Sequence, residues 1–258
     1  MFEREREDSR FVMIMPQKNV KRTLEEKGYP FKSKLFSEVF FSYMNHRNEV
    51  REEIAKIEKD PGLKWDYNYI HNLPKNTKYV VKEYYGLRED NGEIYQWQGG
   101  CPQSLRQMFQ EEHNISDKCC LEMKEKPLDN WSKENNKPHR ILGLMQEEGG
   151  RREHTKCLAF KGNKLSFHPL AKVTKEWEEW FIKEYNVKLC KLYHEPYNFE
   201  RTGCKGCPFN PNLQEALETM GRYFPNERKQ CEYLWQPIYE QYRRLGYRLT
   251  NDEQMKLF

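Results

Sequence analysis

The chain has 258 residues, with 44 Lys and Arg against 40 Asp and Glu and a formal net charge of +4. Apolar residues make up only 37% but aromatic residues 14%, which is typical of a folded protein with a charged surface and excludes a disordered chain. The small net charge does not require a nucleic acid partner. No stretch reaches the roughly 18 apolar residues of a membrane span, and the N-terminus lacks the apolar segment of a signal peptide. We therefore expect a cytoplasmic protein without a membrane span.

The N-terminal part is predicted to contain one strand followed mainly by helices. The apolar run "RFVMIMP" (10–16) has the composition of a buried strand. A helix follows, with Asn19 as its N-cap and Gly28 as its stop. Residues 32–60 have the periodicity of one long amphipathic helix, or of two. Residues 61–100 are irregular and predict short helices and a turn within "REDNGE".

The C-terminal part alternates strands and helices. Ser116 is the expected N-cap of a helix through "ISDKCCLEMKEKP". The run "RILGLM" (140–145) predicts a buried strand, and Thr174 is the expected cap of a helix over 175–186. A last strand is predicted at 187–193, followed by a loop and two helices. This order indicates an α/β domain with a helical C-terminal cap.

The helix predicted over 175–186 carries an aromatic stripe interleaved with lysines. Trp177, Trp180, Phe181 and Tyr185 recur at helical spacing. Such a stripe can stack on nucleic acid bases, but helical spacing favours a face buried in the core.

Eight cysteines in a reducing compartment are candidates for metal or redox chemistry. Cys119 and Cys120 are adjacent, and Cys204 and Cys207 form a C-x-x-C knuckle with glycines at 203 and 206. Together they supply four thiols, the usual number for zinc or an iron–sulfur cluster. Adjacent side chains diverge by about 100° on a helix, whereas four sulfurs around one zinc lie only about 3.8 Å apart. This divergence favours a [4Fe–4S] cluster; zinc, a redox dithiol and buried apolar cysteines are the alternatives.

A second candidate site follows the strand predicted at 140–145. Gly149, Gly150, Arg151 and Arg152 stand where the strand ends, and ligands of α/β sheets bind outside the carboxyl ends of strands. Glycine permits close approach of an anion, and arginine binds phosphate or sulfate bidentately. The alternative is an ordinary loop with solvated charges.

Five segments occur in the order seen in a known family: "GYPFKSK", "ISDKCCLEMKEKP", "GLMQEEGGRR", "FHPLAKVTKEW" and "ERTGCKGCPF". The chain thereby resembles the phosphoadenosine phosphosulfate (PAPS) reductase family, of the adenine nucleotide α-hydrolase-like superfamily. The resemblance implies that Cys119, Cys120, Cys204 and Cys207 are the ligands of a [4Fe–4S] cluster. It also implies that Lys124 lies near the cluster and the substrate sulfate, and that Arg152 faces the phosphates or sulfate of the nucleotide.

The implied fold is α/β, an adenine nucleotide α-hydrolase-like (HUP-type) parallel sheet. Residues 1–200 would form a partial PAPS-reductase-like domain, and 201–258 the C-x-x-C loop and helical C-terminal cap of the same unit. The sheet is expected to be N-terminally incomplete, because the family's S-G-G-x-D-S phosphate loop is absent. Met145 and Gly149 replace an Arg and a Ser of the reductase pattern. No cysteine follows Cys231, whereas the reductases carry a catalytic cysteine near the C-terminus.

The implied function is in sulfur metabolism, as a sulfonucleotide-reductase-like oxidoreductase or a sulfurtransferase. Its expected ligand is an adenylyl sulfo-nucleotide or ATP, with a possible partner chain supplying the phosphate loop. One alternative is a nucleic-acid modification subunit resembling DNA-phosphorothioation or tRNA-thiolation enzymes, with a nucleic acid as partner. Another is a non-catalytic metal-binding module that needs a partner chain.

Overall fold

A computed structural model describes residues 19–97, 99–149, 152–199 and 203–250. Within these ranges the chain divides into two compact units. The helical unit comprises residues 19–121 and 203–250, and the sheet unit comprises residues 122–199. No helix in the described ranges is long and apolar enough to cross a membrane.

The secondary structure is mixed α and β. In the described ranges the α-helices are α1 (Val20–Lys27), α2 (Lys34–Asn45), α3 (Arg47–Lys59), α4 (Tyr67–Asn72), α5 (Lys75–Tyr85), α6 (Gln103–Arg106), α7 (Lys126–Glu134), α8 (Lys175–Glu184), α9 (Leu213–Tyr223) and α10 (Pro225–Leu245). The strands are β1 (Leu87–Asp90), β2 (Glu93–Gln96), β3 (Arg140–Ile141), β4 (Leu158–Lys161) and β5 (Lys164–Phe167).

Phe109 is the centre of the aromatic core of the helical unit. Its ring centroid lies 4.8 Å from that of Tyr43, 5.1 Å from Tyr84 and 5.2 Å from Phe40. Tyr43, which is fully buried, donates its hydroxyl hydrogen bond to the Phe109 carbonyl. Edge-to-face contacts of this kind add to the burial of each ring, so α2 and α5 are fixed around one side chain.

The helices predicted in the N-terminal part are present. α1 ends at Gly28 as expected, although the Asn19 side chain makes no capping hydrogen bond. The helix expected over 32–60 is divided at His46 into α2 and α3. Ser33 is the N-cap of α2, and its hydroxyl accepts a hydrogen bond from the Phe36 N–H. The strand predicted at 10–16 lies outside the described residues.

The turn predicted within "REDNGE" is confirmed, and it joins two strands that the sequence analysis did not predict. β1 and β2 pair antiparallel. Asn91 and Gly92 both have positive φ, at 48° and 84°, as a tight type I′ hairpin turn requires. The two strands were not predicted because Arg, Glu and Asp make up three of the four residues of β1, and the four residues of β2 do not alternate between apolar and polar.

The sheet unit contains one parallel pair in the described residues, between β3 and β5. β4 and β5 form an antiparallel hairpin. The prediction of a buried strand at 140–145 is wrong in both length and burial. The strand β3 is two residues long, and Ile141 is 75% exposed. The Leu142 N–H still bonds to the Phe167 carbonyl, but the Leu144 N–H turns back to Leu142 and the ladder ends.

Two further predictions for this unit are wrong. The first is the strand at 187–193. No strand forms there, because Asn186 at φ 46° allows the Val187 N–H to bond to the Ile182 carbonyl at the end of α8. The second is the buried aromatic face of α8.

The predicted cap of α8 is confirmed, because the Thr174 hydroxyl accepts a hydrogen bond from the Trp177 N–H. The aromatic stripe of α8 is not a buried face. Its rings contact one another and stay exposed, Trp180 by 49%.

We predict that Gly100→Ala destabilises the helical unit much more than Gly92→Ala. Both glycines have positive φ, which costs an alanine about 1–2 kcal/mol. A Cβ on Gly100 would also lie 2.5 Å from the Tyr84 carbonyl oxygen, whereas one on Gly92 meets nothing within 4 Å. Overpacking adds about 1–3 kcal/mol at position 100. Urea unfolding measures both free energies, and equal losses would contradict the packing.

Candidate functional site

Cys119 and Cys120 open a helical segment in the helical unit. Both are helical, and a π-helical turn follows over Leu121–Glu125. Cys119 is only 3% exposed. Ser116, the expected N-cap, precedes the first helical residue by three positions. Its hydroxyl accepts a long hydrogen bond of 3.4 Å from the Lys118 N–H and donates to the Lys27 carbonyl.

The segment "GYPFKSK" holds this cysteine pair in place. Tyr29 donates its N–H to Asn114, and its carbonyl accepts from the Ser116 N–H, at 2.8 and 2.9 Å. Gly28 has φ +95°, and a Cβ there would lie 2.8 Å from the Ser116 hydroxyl oxygen. Glycine is thus required for the approach of the two segments.

Cys204 and Cys207 form the predicted knuckle. The Cys207 N–H donates to the Cys204 carbonyl at 3.1 Å, which closes a tight turn. Gly206 has φ +59°, and a Cβ there would lie 2.6 Å from the Tyr239 hydroxyl and 2.8 Å from the Cys231 sulfur. The knuckle therefore packs directly on α10, and position 206 has room only for glycine.

Three side chains of α10 donate hydrogen bonds to carbonyls in this knuckle and just after it. Trp235 donates its indole N–H to Lys205 at 3.0 Å, and Tyr239 donates its hydroxyl to Gly206 at 2.5 Å. Tyr242 donates to the Pro208 carbonyl at 2.8 Å, and its hydroxyl accepts the Lys32 N–H at 2.7 Å. The α10 clamp, defined as Trp235, Tyr239 and Tyr242, therefore joins the knuckle to "GYPFKSK".

The two cysteine pairs interact electrostatically. The pKa of Cys119 is raised first by a hydrogen bond with the Cys120 thiol, then by burial and by the nearby Cys207 and Cys204. Residues about 80 positions apart in the sequence are thus brought to one place. Across the described ranges, no group of three or more His, Cys, Asp or Glu side chains has the arrangement of a site for a metal ion.

Cys231 is a fifth cysteine at this place. It is 2% exposed, lies against Gly206, and donates its thiol to the Met220 sulfur at 4.0 Å. Burial raises its pKa to about 11, so it stays protonated at neutral pH. Trp235 and Tyr239 were not predicted from the sequence as functional residues. Their spacing of four, with Tyr242 three further on, marks one face of a helix.

The anion site predicted after residue 145 falls in the sheet unit, where Gly149 and Arg152 are described and Gly150 and Arg151 are not. Gly149 has φ 76°, which favours glycine. The Arg152 N–H donates to the Gly149 carbonyl at 3.2 Å, and the Arg152 guanidinium forms an exposed ion pair with Glu148.

Other contacts fix the loop around Arg152 within the sheet unit. Glu147 accepts the first N–H of α8, from Lys175, at 2.6 Å. The Gln146 side chain donates to the Thr155 carbonyl at 2.7 Å. Lys124, also in this unit, lies exposed in the π-helical turn.

A protein-family comparison matches more than half of the chain. The model described as the phosphoadenosine phosphosulfate reductase domain matches residues 75–210, which include all four paired cysteines and the loop around Arg152. No curated protein and no solved structure gives a significant match.

We predict that Tyr239→Phe loosens the knuckle. The change removes only the hydroxyl that donates to Gly206, and a buried carbonyl left without a partner costs about 1–3 kcal/mol. Urea unfolding should show this loss, together with faster alkylation of Cys204 and Cys207. The control is Tyr233→Phe on the same helix, where the ring is 64% exposed. Equal behaviour of the two variants would argue against the clamp.

Proposed function

Because the chain belongs to the phosphoadenosine phosphosulfate reductase domain family, we propose that it binds a [4Fe–4S] cluster and an adenylyl sulfo-nucleotide in sulfur metabolism. The proposed ligands of the cluster are Cys119, Cys120, Cys204 and Cys207. The proposed nucleotide site comprises Lys124 and the loop residues Gly149, Gly150, Arg151 and Arg152. An adenine nucleotide α-hydrolase-like sheet, completed by a partner chain that carries the phosphate loop, is part of the same proposal.

The observation that carries the cluster proposal is the convergence of the two cysteine pairs. Cys204 and Cys207 both contribute to the raised pKa of Cys119, which is buried. Four thiolates cannot coexist in such a place without a compensating cation, and a coordinating metal deprotonates thiols outright. A bound metal centre therefore explains why four thiols share one partly buried place.

Stereochemistry favours a cluster over a single zinc ion. Zinc would need all four sulfurs about 3.8 Å apart, whereas side chains at neighbouring helical positions diverge by about 100°. A [4Fe–4S] cluster accepts one thiolate at each of four irons, so Cys119 and Cys120 can bind different irons.

The nucleotide proposal rests on the loop that ends at Arg152. The Gly149 backbone has a positive φ, which favours glycine, and the exposed Arg152 guanidinium forms an ion pair with the Glu148 carboxylate. An exposed pair of this kind contributes little stability, about 0–1 kcal/mol. A phosphate or sulfate, which an arginine binds bidentately, can therefore replace Glu148.

We predict that anaerobically purified protein is brown and contains about four irons and four sulfides per chain. Cys→Ser at position 119, 120, 204 or 207 should abolish or strongly reduce the brown colour and the content of iron and sulfide. Cys157→Ser is the matched control, because Cys157 is an exposed cysteine of the sheet unit. Metal analysis and the visible absorption spectrum give the measurement. Zinc at about one per chain without iron would overturn the cluster assignment.

We also predict that Arg152→Ala weakens binding of adenylylsulfate or PAPS by about tenfold, as expected for loss of a charge-assisted bidentate contact. Isothermal titration calorimetry gives the affinity, and release of sulfite in the presence of a thiol tests turnover. Arg22→Ala is the control, because Arg22 forms a similar exposed pair with Glu26 four residues on. An unchanged affinity would remove Arg152 from the site.

A further inference from the structure

The helical unit contains a cavity that the proposed function does not use. Its volume is about 200 Å³, and it lies between the start of α2 and the end of α5. Aromatic rings of Phe36, Tyr84 and Phe109 contribute to its lining. Trp97 also lines it and is 60% exposed, with its backbone N–H bonded to the Gly86 carbonyl at 2.8 Å.

Lys32 brings a cation to this cavity at some energetic cost. Its backbone has φ 56°, an unfavourable conformation for a side chain of this kind, and is fixed by the bond from its N–H to Tyr242. The ammonium lies 5.5 Å from the Phe36 ring centroid. Burial lowers the pKa of Lys32 more than the Cys101 thiol raises it, and the nearby Arg248 lowers it further. An anionic ligand beside Lys32 would stabilise the charged ammonium.

A basic groove adjoins the cavity. Lys75, Lys78 and Lys82 line it along α5, together with Arg88 and Glu83, which also line the cavity. Glu83 is neutralised by Arg88 at 2.8 Å. Lys82 pairs with Glu89 at 3.3 Å, and Lys78 donates to the His71 carbonyl at 2.7 Å. The three lysines extend over seven residues, about 10 Å of helix, so the groove is longer than one phosphate.

The volume of the cavity and the charges of the groove indicate which part of a ligand each would bind. Sites for whole drug-sized molecules occupy about 300–1,000 Å³, so a cavity of about 200 Å³ holds a single ring system. The charges outside the cavity suit a chain of phosphates, because contacts between lysines and phosphates dominate affinity for nucleic acids. Aromatic side chains supply stacking surfaces for bases.

We propose that this cavity and groove bind single-stranded nucleic acid, with one unstacked base in the cavity beside Trp97 and Phe36. The phosphate of that nucleotide contacts Lys32, and the neighbouring backbone follows Lys82, Lys78 and Lys75. The residues that form this site are distinct from the two cysteine pairs and from the loop at Arg152. The proposal of a nucleic acid site can therefore be tested independently of the proposed function.

The test is fluorescence anisotropy of the full chain with short labelled oligo(dT) and oligo(U) strands at several salt concentrations. Lys32→Ala and Trp97→Ala should each weaken binding by about tenfold, and Trp97→Phe should retain most of the affinity. The triple variant Lys75→Ala, Lys78→Ala and Lys82→Ala should lower the slope of log affinity against log salt by about 0.7 per lysine that contacts a phosphate.

The matched control is a second triple variant, Lys27→Ala, Lys56→Ala and Lys59→Ala, which removes equal charge from α1 and α3. It should bind like the unmodified protein, and circular dichroism confirms that every variant is folded. Equal weakening by both triple variants would show non-specific attraction and overturn the site. Absence of binding at low salt would overturn it as well. Binding of a free mononucleotide as tight as that of the strand would replace the strand with a small-molecule ligand.

Discussion

The hydrogen bonds from α10 to the C-x-x-C knuckle are the constraint on which the helical unit depends. A tight turn with a left-handed glycine leaves carbonyls that no strand or helix can satisfy, and each buried carbonyl without a partner costs free energy. Trp235, Tyr239 and Tyr242 supply the three donors from one helical face. The direction of Cys204 and Cys207 is therefore fixed by aromatic side chains that are themselves buried.

Tyr242 extends this constraint to the rest of the unit. Its hydroxyl serves Pro208 and Lys32 at once, and the segment that contains Lys32 is paired through Tyr29 with the residues leading to Cys119. One hydroxyl thus links the segments that carry the two cysteine pairs, and it also holds the backbone of the lysine that lines the aromatic cavity. The segment "GYPFKSK" connects all of these features, which gives it a physical role that its composition alone does not reveal.

The sequence predicted local features well wherever the cause is local. The end of α1 at Gly28, the cap at Thr174 and the turn at Asn91 and Gly92 all follow from single residues and their immediate neighbours. The proximity of the two cysteine pairs, about 80 residues apart in the chain, was expected from the number of cysteines and from the family resemblance. Predictions that depend on residues far away in the sequence were less accurate. The strand at 140–145 was expected to be long and buried, but apolar composition does not specify which neighbours a strand will have.

Within the described residues, the sheet unit occupies one stretch of chain, 122–199, between the two parts of the helical unit, 19–121 and 203–250. Cys119 and Cys120 precede this stretch, and Cys204 and Cys207 follow it. Bringing the two pairs of thiols together therefore closes a long loop of the chain. Closing a flexible loop becomes only about 0.6 kcal/mol more expensive for each doubling of its length. This stretch can therefore lengthen or shorten at little cost in free energy to the flanking thiols.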